Sequence, residues 1–435
     1  MKVLWICHFS NPQIREKLNL SVNPFEIVIR KLLNKNPFQW YDYAAWITNG
    51  IREFENIDDI EFHVVSPHYG LIKKNKNFQL NNINYHFFKP DDDSLFIKTK
   101  RYITKSYESD YSRNRITIKK LVSTINPDII HMYGAENPYY SISALDVDRN
   151  KYPFLVSLQT LMSETEFKLK HTTSAEIYDY RAKIEQDILK KSTYIGSTVQ
   201  KYRDYIWQNI NPKAIFFKTY LAVAEKIPVF NYEKKYDFVY FAASISKAAD
   251  VAIEAFAIAC KKYPKITLNI IGSTTLKFKH VLQLRIKELG IENNVYFSGQ
   301  LPTHDDVIKQ IQFSRFALLP LKIDVISGTI REAMFSGIPV ISTITSGTPT
   351  LNTKRESVLL SVQGDYNSMA QNMIKLIESP DLAKKLAENG LITVNERWNN
   401  SESMRQLIDA YHVIIDHHQK SISIPIEIGA VNPNK

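Results

Sequence analysis

The stretch Ile323-Asp-Val-Ile-Ser-Gly-Thr-Ile-Arg-Glu-Ala-Met-Phe-Ser-Gly-Ile-Pro-Val-Ile-Ser-Thr343 decides the fold class. It reads as a strand exit, a short polar loop, a helix and the next strand. Ile330, Ala333 and Met334 recur at i, i+3 and i+4, the spacing of a buried helical stripe, which leaves Glu332 on the open side. Gly337 is placed to end that helix, and Pro339 to stop it resuming. Gly328 and Thr329 sit where the helix begins, so their amides lack intrahelical partners and aim at the carboxyl edge of a sheet. Such a helix start suits an anion, and a diphosphate in particular. A carboxylate beside it repels phosphate and is better suited to accept hydrogen bonds from the paired hydroxyls of a ribose. The Asp324–Glu332 spacing is weak by itself; its weight comes from the surrounding loop, helix start and Gly-x-Pro exit.

Outward from this stretch the same rhythm runs in both directions. Lys2–Cys7, Ile60–Ser66, Ile83–Phe88, Ile129–Met132 and Phe154–Ser157 read as buried strands separated by helical patterns. Phe217–Lys235 breaks the rhythm with a polar, lysine-rich connection containing Pro228. It restarts with strand Phe238–Ala242, helix Ala249–Lys261, strand Ile266–Ile271, helix Val281–Leu289 and strand Val295–Phe297. Helix Asp305–Ser314, strand Phe316–Leu319, helix Ile330–Phe335 and strand Val340–Ser342 continue it. Alternation of this kind predicts parallel sheets with crossover helices, in two successive doubly wound α/β domains. Thr303 with Asp306 resembles a capping box, and Ser379-Pro380 an N-cap followed by proline at the first helical position. Met404–Ile415 is amphipathic, and β-like residues return after His418.

At 435 residues, with 44% hydrophobic and 23% charged, the chain has an ordinary globular composition that excludes disordered and low-complexity classes. No window approaches the ~18 apolar residues of a membrane-spanning helix. The apolar run Val3–Cys7 is too short for a signal-peptide core. Cys7 and Cys260 lie far apart, with no metal or redox spacing, and read as small buried hydrophobes in a reduced, cytoplasmic protein. The absence of G-x-S-x-G, H-E-x-x-H, paired C-x-x-C and Walker A patterns removes the footing for a hydrolase, a zinc enzyme or a P-loop NTPase.

The net charge is +10, and its densest stretch is Lys98–Lys120, where basic residues interleaved with Tyr102, Tyr107 and Tyr111 face only Glu108 and Asp110. That stretch is either a solvated face or a docking surface for an anionic membrane or a phosphorylated substrate. No nucleic-acid motif accompanies it. Two D-x-D patterns, Asp91-Asp92-Asp93 and Asp146-Val147-Asp148, occur in contexts that argue against a metal role. His417-His418 has no third ligand nearby in sequence.

Glu332-Ala-Met-Phe-Ser-Gly-Ile-Pro-Val resembles the signature of the retaining glycosyltransferases of family 4, the group 1 glycosyltransferases, with Asp324 at the first position of their E-x7-E motif. Phe241-Ala-Ala-Ser-Ile-Ser-Lys247 with Val251-Ala-Ile-Glu-Ala-Phe256 is similar to the family's phosphate-binding turn and helix. Leu268-Asn-Ile-Ile-Gly272, Val295-Tyr-Phe-Ser-Gly299 and Gly364-Asp365 also match, and Pro127-Asp-Ile-Ile-His131-Met-Tyr-Gly134-Ala-Glu136 and Pro153–Gln159 are weaker echoes in the first half. The family's glycine after the lysine is Ala248 here, and Ala242–Ser246 lacks its arginine.

The resemblance implies an α/β chain of GT-B architecture, two Rossmann-like doubly wound domains facing across a cleft. Residues 1–220 would bind the acceptor, with the C-terminal helix and tail from about 402–435 packing back on them, and 221–401 would hold the nucleotide-sugar donor. Carried over, Lys247 pairs with the donor diphosphate and Glu332 holds the ribose hydroxyls. Asp324 touches the transferred sugar, and the Gly328–Thr329 amides meet the phosphates, with Ser244 and Gly272 lining the donor site. From the first domain His131, Tyr133, Glu136 or Gln159 reaches the sugar or the acceptor. A lysine and a helix start can stabilise the leaving group in place of a metal, so neither a metal nor another cofactor is required.

The implied protein is a retaining glycosyltransferase using a UDP- or GDP-sugar and a glycan or lipid-linked acceptor in cell-surface glycan synthesis. It would be cytoplasmic, docking peripherally on the inner face of the cell membrane through Lys98–Lys120. The alternative readings are a non-catalytic partner or chaperone of another transferase and a nucleotide-sugar epimerase.

Overall fold

Unbroken apolar runs such as Val3-Leu-Trp-Ile6 and Ile129-Ile-His-Met-Tyr133 suit strands covered on both faces, and in a computed structural model of the chain they lie in the middle of a parallel sheet. The structure describes all residues except 23, 33–37, 92–109, 165–174, 225–226, 229, 231, 242–246, 273–275, 323–325 and 434–435. The chain divides into two compact units, one holding Met1–Leu169, Thr173–Ala222 and Asn400–Lys435 and the other Val223–Asn399.

The first unit is built on β1 (Lys2–Ile6), β2 (Glu61–Pro67), β3 (Asn75–Leu80), β4 (Ile83–Phe88), β5 (Ile129–Tyr133), β6 (Phe154–Ser157), β7 (Tyr194–Gly196) and β8 (Ile215–Phe217). β1 pairs in parallel with β2 on one side and β5 on the other, Trp5 lying opposite Val64 and His131. Strand order therefore reverses direction between β1 and β5. β3 is a polar edge strand, antiparallel to β4 and alternately exposed along its length. It escapes an apolar-run reading because only one of its faces is covered, but its turn is legible. Asn81 and Asn82 both take left-handed backbone angles, φ 50° and 63°, as a two-residue hairpin turn requires.

The second unit holds β9 (Tyr236–Phe241), β10 (Leu268–Ile271), β11 (Val295–Gly299), β12 (Ser314–Leu319), β13 (Val340–Thr343) and β14 (Val358–Ser361). Its sheet runs β11-β10-β9-β12-β13-β14, every pair parallel, with the order reversing between β9 and β12. The expected capping box is present, with Thr303 Oγ1 accepting from the Asp306 amide (3.0 Å) and the Asp306 carboxylate accepting from the Thr303 amide (3.1 Å). Ser379 caps the helix Pro380–Arg397 with proline in its first turn.

The chain re-enters the first unit at Asn400 as the helix Asn400–Lys420, burying Met404, Leu407, Ala410, Tyr411 and Ile414 in that unit's core. Met404, Leu407 and Ile414 each contribute roughly 1.5–3 kcal/mol when taken fully out of water. A last strand, β15 (Gly429–Ala430), closes the sheet edge antiparallel to β8. Both cysteines are buried, as their sequence context suggests, and burial pushes the Cys260 thiol up to about 12.

Of the basic stretch Lys98–Lys120, residues 98–109 lie outside the described residues. Within the rest, Arg115 forms two bonds of 2.5 Å to Asp146, and Arg113 lies 3.4 Å from Asp91. Those ion pairs engage one acid from each D-x-D pattern. Among the described residues no cluster of three His, Cys, Asp or Glu side chains is arranged to hold a metal ion, and no helix is long and apolar enough to cross a membrane.

Candidate active site

In doubly wound sheets, ligands bind outside the carboxyl ends of the strands where strand order reverses. In the second unit that point lies between β9 and β12. The chain leaves β9 and reaches Lys247 just before the helix Ala249–Lys262, and the Lys247 carbonyl accepts a hydrogen bond from Tyr240 Oη (2.9 Å). Leaving β12, it reaches Ser327, which stands before the helix Gly328–Phe335. Lys247 Nζ donates to Ser327 Oγ (2.6 Å), and Ser327 Oγ lies 2.9 Å from Thr329 Oγ1.

Ser327 therefore does not use its hydroxyl to cap the helix it precedes. Among the described residues no side chain caps the first-turn amides, which lie beside an ammonium group, so two sources of positive potential converge on one spot. A Cβ placed on Gly328 would find its nearest neighbour at 3.9 Å, so the backbone there is approachable.

The rest of the helix follows its sequence pattern. Ile330, Ala333 and Met334 are buried, and Glu332 retains 14% side-chain exposure on the other side. Gly337, at φ 67°, ends the helix, with its amide bonded to the Met334 carbonyl and that of Ile338 to the Ala333 carbonyl (both 3.0 Å). Glu332 Oε1 lies 3.1 Å from His304 Nε2, at the start of the helix His304–Ile311. Neither His304 nor Ser327 belongs to the sequence-derived site. Ser327 could have been suspected as the residue before the helix, whereas nothing local marks His304. Gly272 ends β10, its amide bonded to the Gly299 carbonyl (2.7 Å). Asp324 and Ser244 lie outside the described residues.

The first unit places the expected residues in two different settings. His131 sits within β5, wholly buried, with Nδ1 2.5 Å from Tyr411 Oη and Nε2 2.6 Å from Ser157 Oγ. Both ring nitrogens are engaged, and burial holds the imidazole neutral, its pKa lowered to about 3. It is an interior hydrogen-bonding residue. Tyr133, two residues on and so on the same face of the strand, packs 4.1 Å from the His131 ring and 4.6 Å from Trp5, with 3% exposure. It too belongs to the core.

Glu136 and Gln159, beyond the ends of β5 and β6, do come together. With its amide oxygen turned to accept from Trp46 Nε1 (3.3 Å), Gln159 donates to Glu136 Oε1 at 3.3 Å. Asn137 Nδ2 donates to the same carboxylate oxygen (2.9 Å), and burial raises the Glu136 pKa.

Residues 224–392 match the family described as "Glycosyl transferases group 1". The chain is 23% identical over 372 residues to an uncharacterized glycosyltransferase of Methanocaldococcus jannaschii, a match covering 84% of this chain and 93% of that protein. It is 27% identical over 139 residues to the N-acetyl-alpha-D-glucosaminyl L-malate synthase of Bacillus anthracis, spanning 32% of this chain and only 35% of the synthase. Among solved structures, sucrose-phosphate synthase from Thermosynechococcus elongatus has a TM-score of 0.67 at 14% identity, covering 95% of this chain and 98% of that one. Anabaena HepE in complex with UDP and glucose has a TM-score of 0.63 at 14% identity, covering 95% of this chain and 99% of that one, and a second HepE structure holds UDP-glucose. The paired α/β units are those of the GT-B fold.

Proposed function

We propose, from the membership of residues 224–392 in the group 1 glycosyltransferases, that the chain is a retaining enzyme moving a sugar from a UDP-sugar to an acceptor hydroxyl, without a metal ion. The observation that carries this reading is the 2.6 Å contact of Lys247 Nζ with Ser327 Oγ at an uncapped helix start. A nucleotide diphosphate bound there meets the ammonium and the Gly328–Thr329 amides together. Both are preorganised for the negative charge that grows on the departing phosphate, so they stabilise it more in the transition state than in the ground state.

Glu332, which lies beside His304, is assigned to the two ribose hydroxyls on its position in the motif, as an acceptor of their hydrogen bonds. Asp324, eight residues ahead of it, is assigned to the transferred sugar on its position in the motif. The UDP and UDP-glucose bound by HepE favour uridine as the donor base. The first unit takes the acceptor, and Lys98–Lys120 brings the enzyme to an anionic membrane surface in cell-surface glycan synthesis.

A thermal-shift series with UDP, GDP, ADP, CMP and dTDP, with and without Mg²⁺, tests the donor site. UDP is expected to raise the melting temperature equally with and without Mg²⁺, and Lys247→Ala to abolish the rise. A shift that needs Mg²⁺ overturns the metal-free site, and none with any nucleotide overturns the transferase reading. Glu332→Ala is expected to lower kcat/KM with the UDP-sugar by about two orders of magnitude or more, the worth of two charge-assisted hydrogen bonds. Unchanged turnover would remove Glu332 from the site.

A further inference from the structure

His304 and Glu332 come from separate connections of the second sheet, yet the helices that carry them settle on one core. Ile308 and Ile311 of the helix His304–Ile311 are buried in the same cluster as Ile330 and Ala333 of the helix Gly328–Phe335. His304 is the first residue of its helix, and Ile308, four positions on, lies on the same side of it. The capping box of Thr303 and Asp306 fixes that first turn, and the Asp306 carboxylate also accepts from Thr303 Oγ1 (2.7 Å). The imidazole therefore stands on a rigid support.

Glu332 shares a side of its own helix with the proposed phosphate groups. Gly328 and Thr329 precede it by four and three residues, so the first-turn amides and the carboxylate stand one turn apart, about 5.4 Å along the axis. That order, anion site first and hydroxyl acceptor next, follows the order of diphosphate and ribose in a nucleotide.

A carboxylate that accepts from two hydroxyls at once must keep one orientation, and a glutamate side chain loses rotamer freedom in doing so. His304 is placed to supply that orientation. Its Nε2 lies 3.1 Å from Glu332 Oε1, a close contact rather than an aligned hydrogen bond. The two side chains are 22% and 14% exposed, so the pair is mostly enclosed but reachable. Among the described residues no other basic side chain comes within ion-pair distance of Glu332. Arg331, its neighbour in sequence, lies over the Trp398 ring at 5.5 Å.

We propose that His304 is a positioning residue for Glu332. With its proton on Nε2 it holds Oε1, leaving Oε2 and the second lone pair of Oε1 to accept from the two ribose hydroxyls. It thereby sets the preference of the donor site for a ribonucleotide. The inference rests on the donor-site reading and adds to it a residue from a third connection, the one that follows β11.

Isothermal titration of UDP and of 2′,3′-dideoxy-UDP into the full chain tests it. The wild type is expected to prefer UDP by about two orders of magnitude, the worth of two hydrogen bonds to a charged group. His304→Phe is expected to lower UDP affinity about tenfold and to leave that for the dideoxy nucleotide within about twofold, because only UDP uses the oriented carboxylate. His304→Gln, which keeps an N–H, is expected to restore most of the loss. In a Glu332→Ala background His304→Phe is expected to have no further effect on UDP, since there is no carboxylate left to hold.

Equal weakening of both nucleotides by His304→Phe would make the histidine a structural residue and overturn the inference. An unchanged preference for UDP in that variant would do the same. In either case binding of UDP by the wild type leaves the donor site standing. A wild type that takes both nucleotides equally removes Glu332 from the ribose, and His304 with it. One that binds no UDP at all overturns the donor-site reading itself.

Discussion

Lys247 and Ser327 are eighty residues apart in sequence, yet the ammonium of one donates to the hydroxyl of the other at 2.6 Å. The contact exists because β9 and β12 are parallel neighbours, Ala317 opposite Val239, so the loops leaving both strands open on the same edge. Each loop delivers one half of a positively polarised site. The lysine supplies a full charge and the helix Gly328–Phe335 a set of first-turn amides that have no intrahelical partners.

Ser327→Ala should therefore loosen the lysine without removing it. The expected result is a UDP affinity about threefold to tenfold lower, the worth of one ordinary hydrogen bond, against complete loss in Lys247→Ala. Isothermal titration of UDP into the two variants reads both. Equal affinity in wild type and Ser327→Ala would mean that the serine does not position the ammonium.

Ala248 follows the lysine in left-handed backbone, φ 55°, which costs an L-residue about 1–2 kcal/mol. It is also 1% exposed within the second unit's core. Ala248→Val is expected to destabilise by about 2–4 kcal/mol, from strain at a β-branched residue and overpacking together. Ala248→Gly should stay within about 1 kcal/mol of wild type, because relieved strain is offset by the lost methyl and the freer unfolded chain. Urea unfolding decides, and a valine variant as stable as wild type would contradict the backbone geometry.

In the first unit, Tyr411 Oη accepts from Trp5 Nε1 (2.8 Å) and meets His131 Nδ1 (2.5 Å) in the interior. Tyr411→Phe leaves both partners buried and short of a bond, at roughly 1–3 kcal/mol for each orphaned group. A melting temperature lower by several degrees is expected, with the near-ultraviolet circular dichroism of Trp5 altered. Retention of the wild-type melting temperature would mean that the two nitrogens find other partners.

Stability should fall in mild acid. Burial lowers the pKa of His8, His68 and His86 to about 4 and that of His131 to about 3, all below the ordinary 6.5. The unfolded chain binds these protons first. The contribution is thus complete above pH ~6.5 and is lost progressively as the pH falls toward 4.

Glu185 acts in the opposite sense. Burial raises its pKa to about 7, so its contribution is complete below the ordinary carboxylate value and lost as pH rises through about 7. The four histidines outweigh it. Melting temperature should drop between pH 6.5 and 4, and Glu185→Gln should steepen the drop. A flat profile in wild type would show that these imidazoles charge without unfolding the chain.

The alternation of apolar runs with helical patterns was enough to read two parallel-sheet domains, because strands covered on both faces must be apolar throughout. The polar edge strand β3 lacked that signature. His131 shows why the first-unit site was harder to read. A histidine near a strand end looks the same in sequence whether it opens onto a ligand or turns inward, and here a tyrosine 280 positions later occupies its Nδ1.

Local sequence by itself determined where the helix Gly328–Phe335 starts and stops, which face it buries, and that Glu332 stays off that face. Those outcomes depend on side chains three or four positions apart and on the backbone freedom of Gly337. Only the tertiary structure decided that Ser327 holds Lys247, that His304 lies against Glu332, and that Tyr411 meets His131 in the interior. Each of these joins residues from different loops or strands, and the order of strands in a sheet, not spacing along the chain, sets which of them meet.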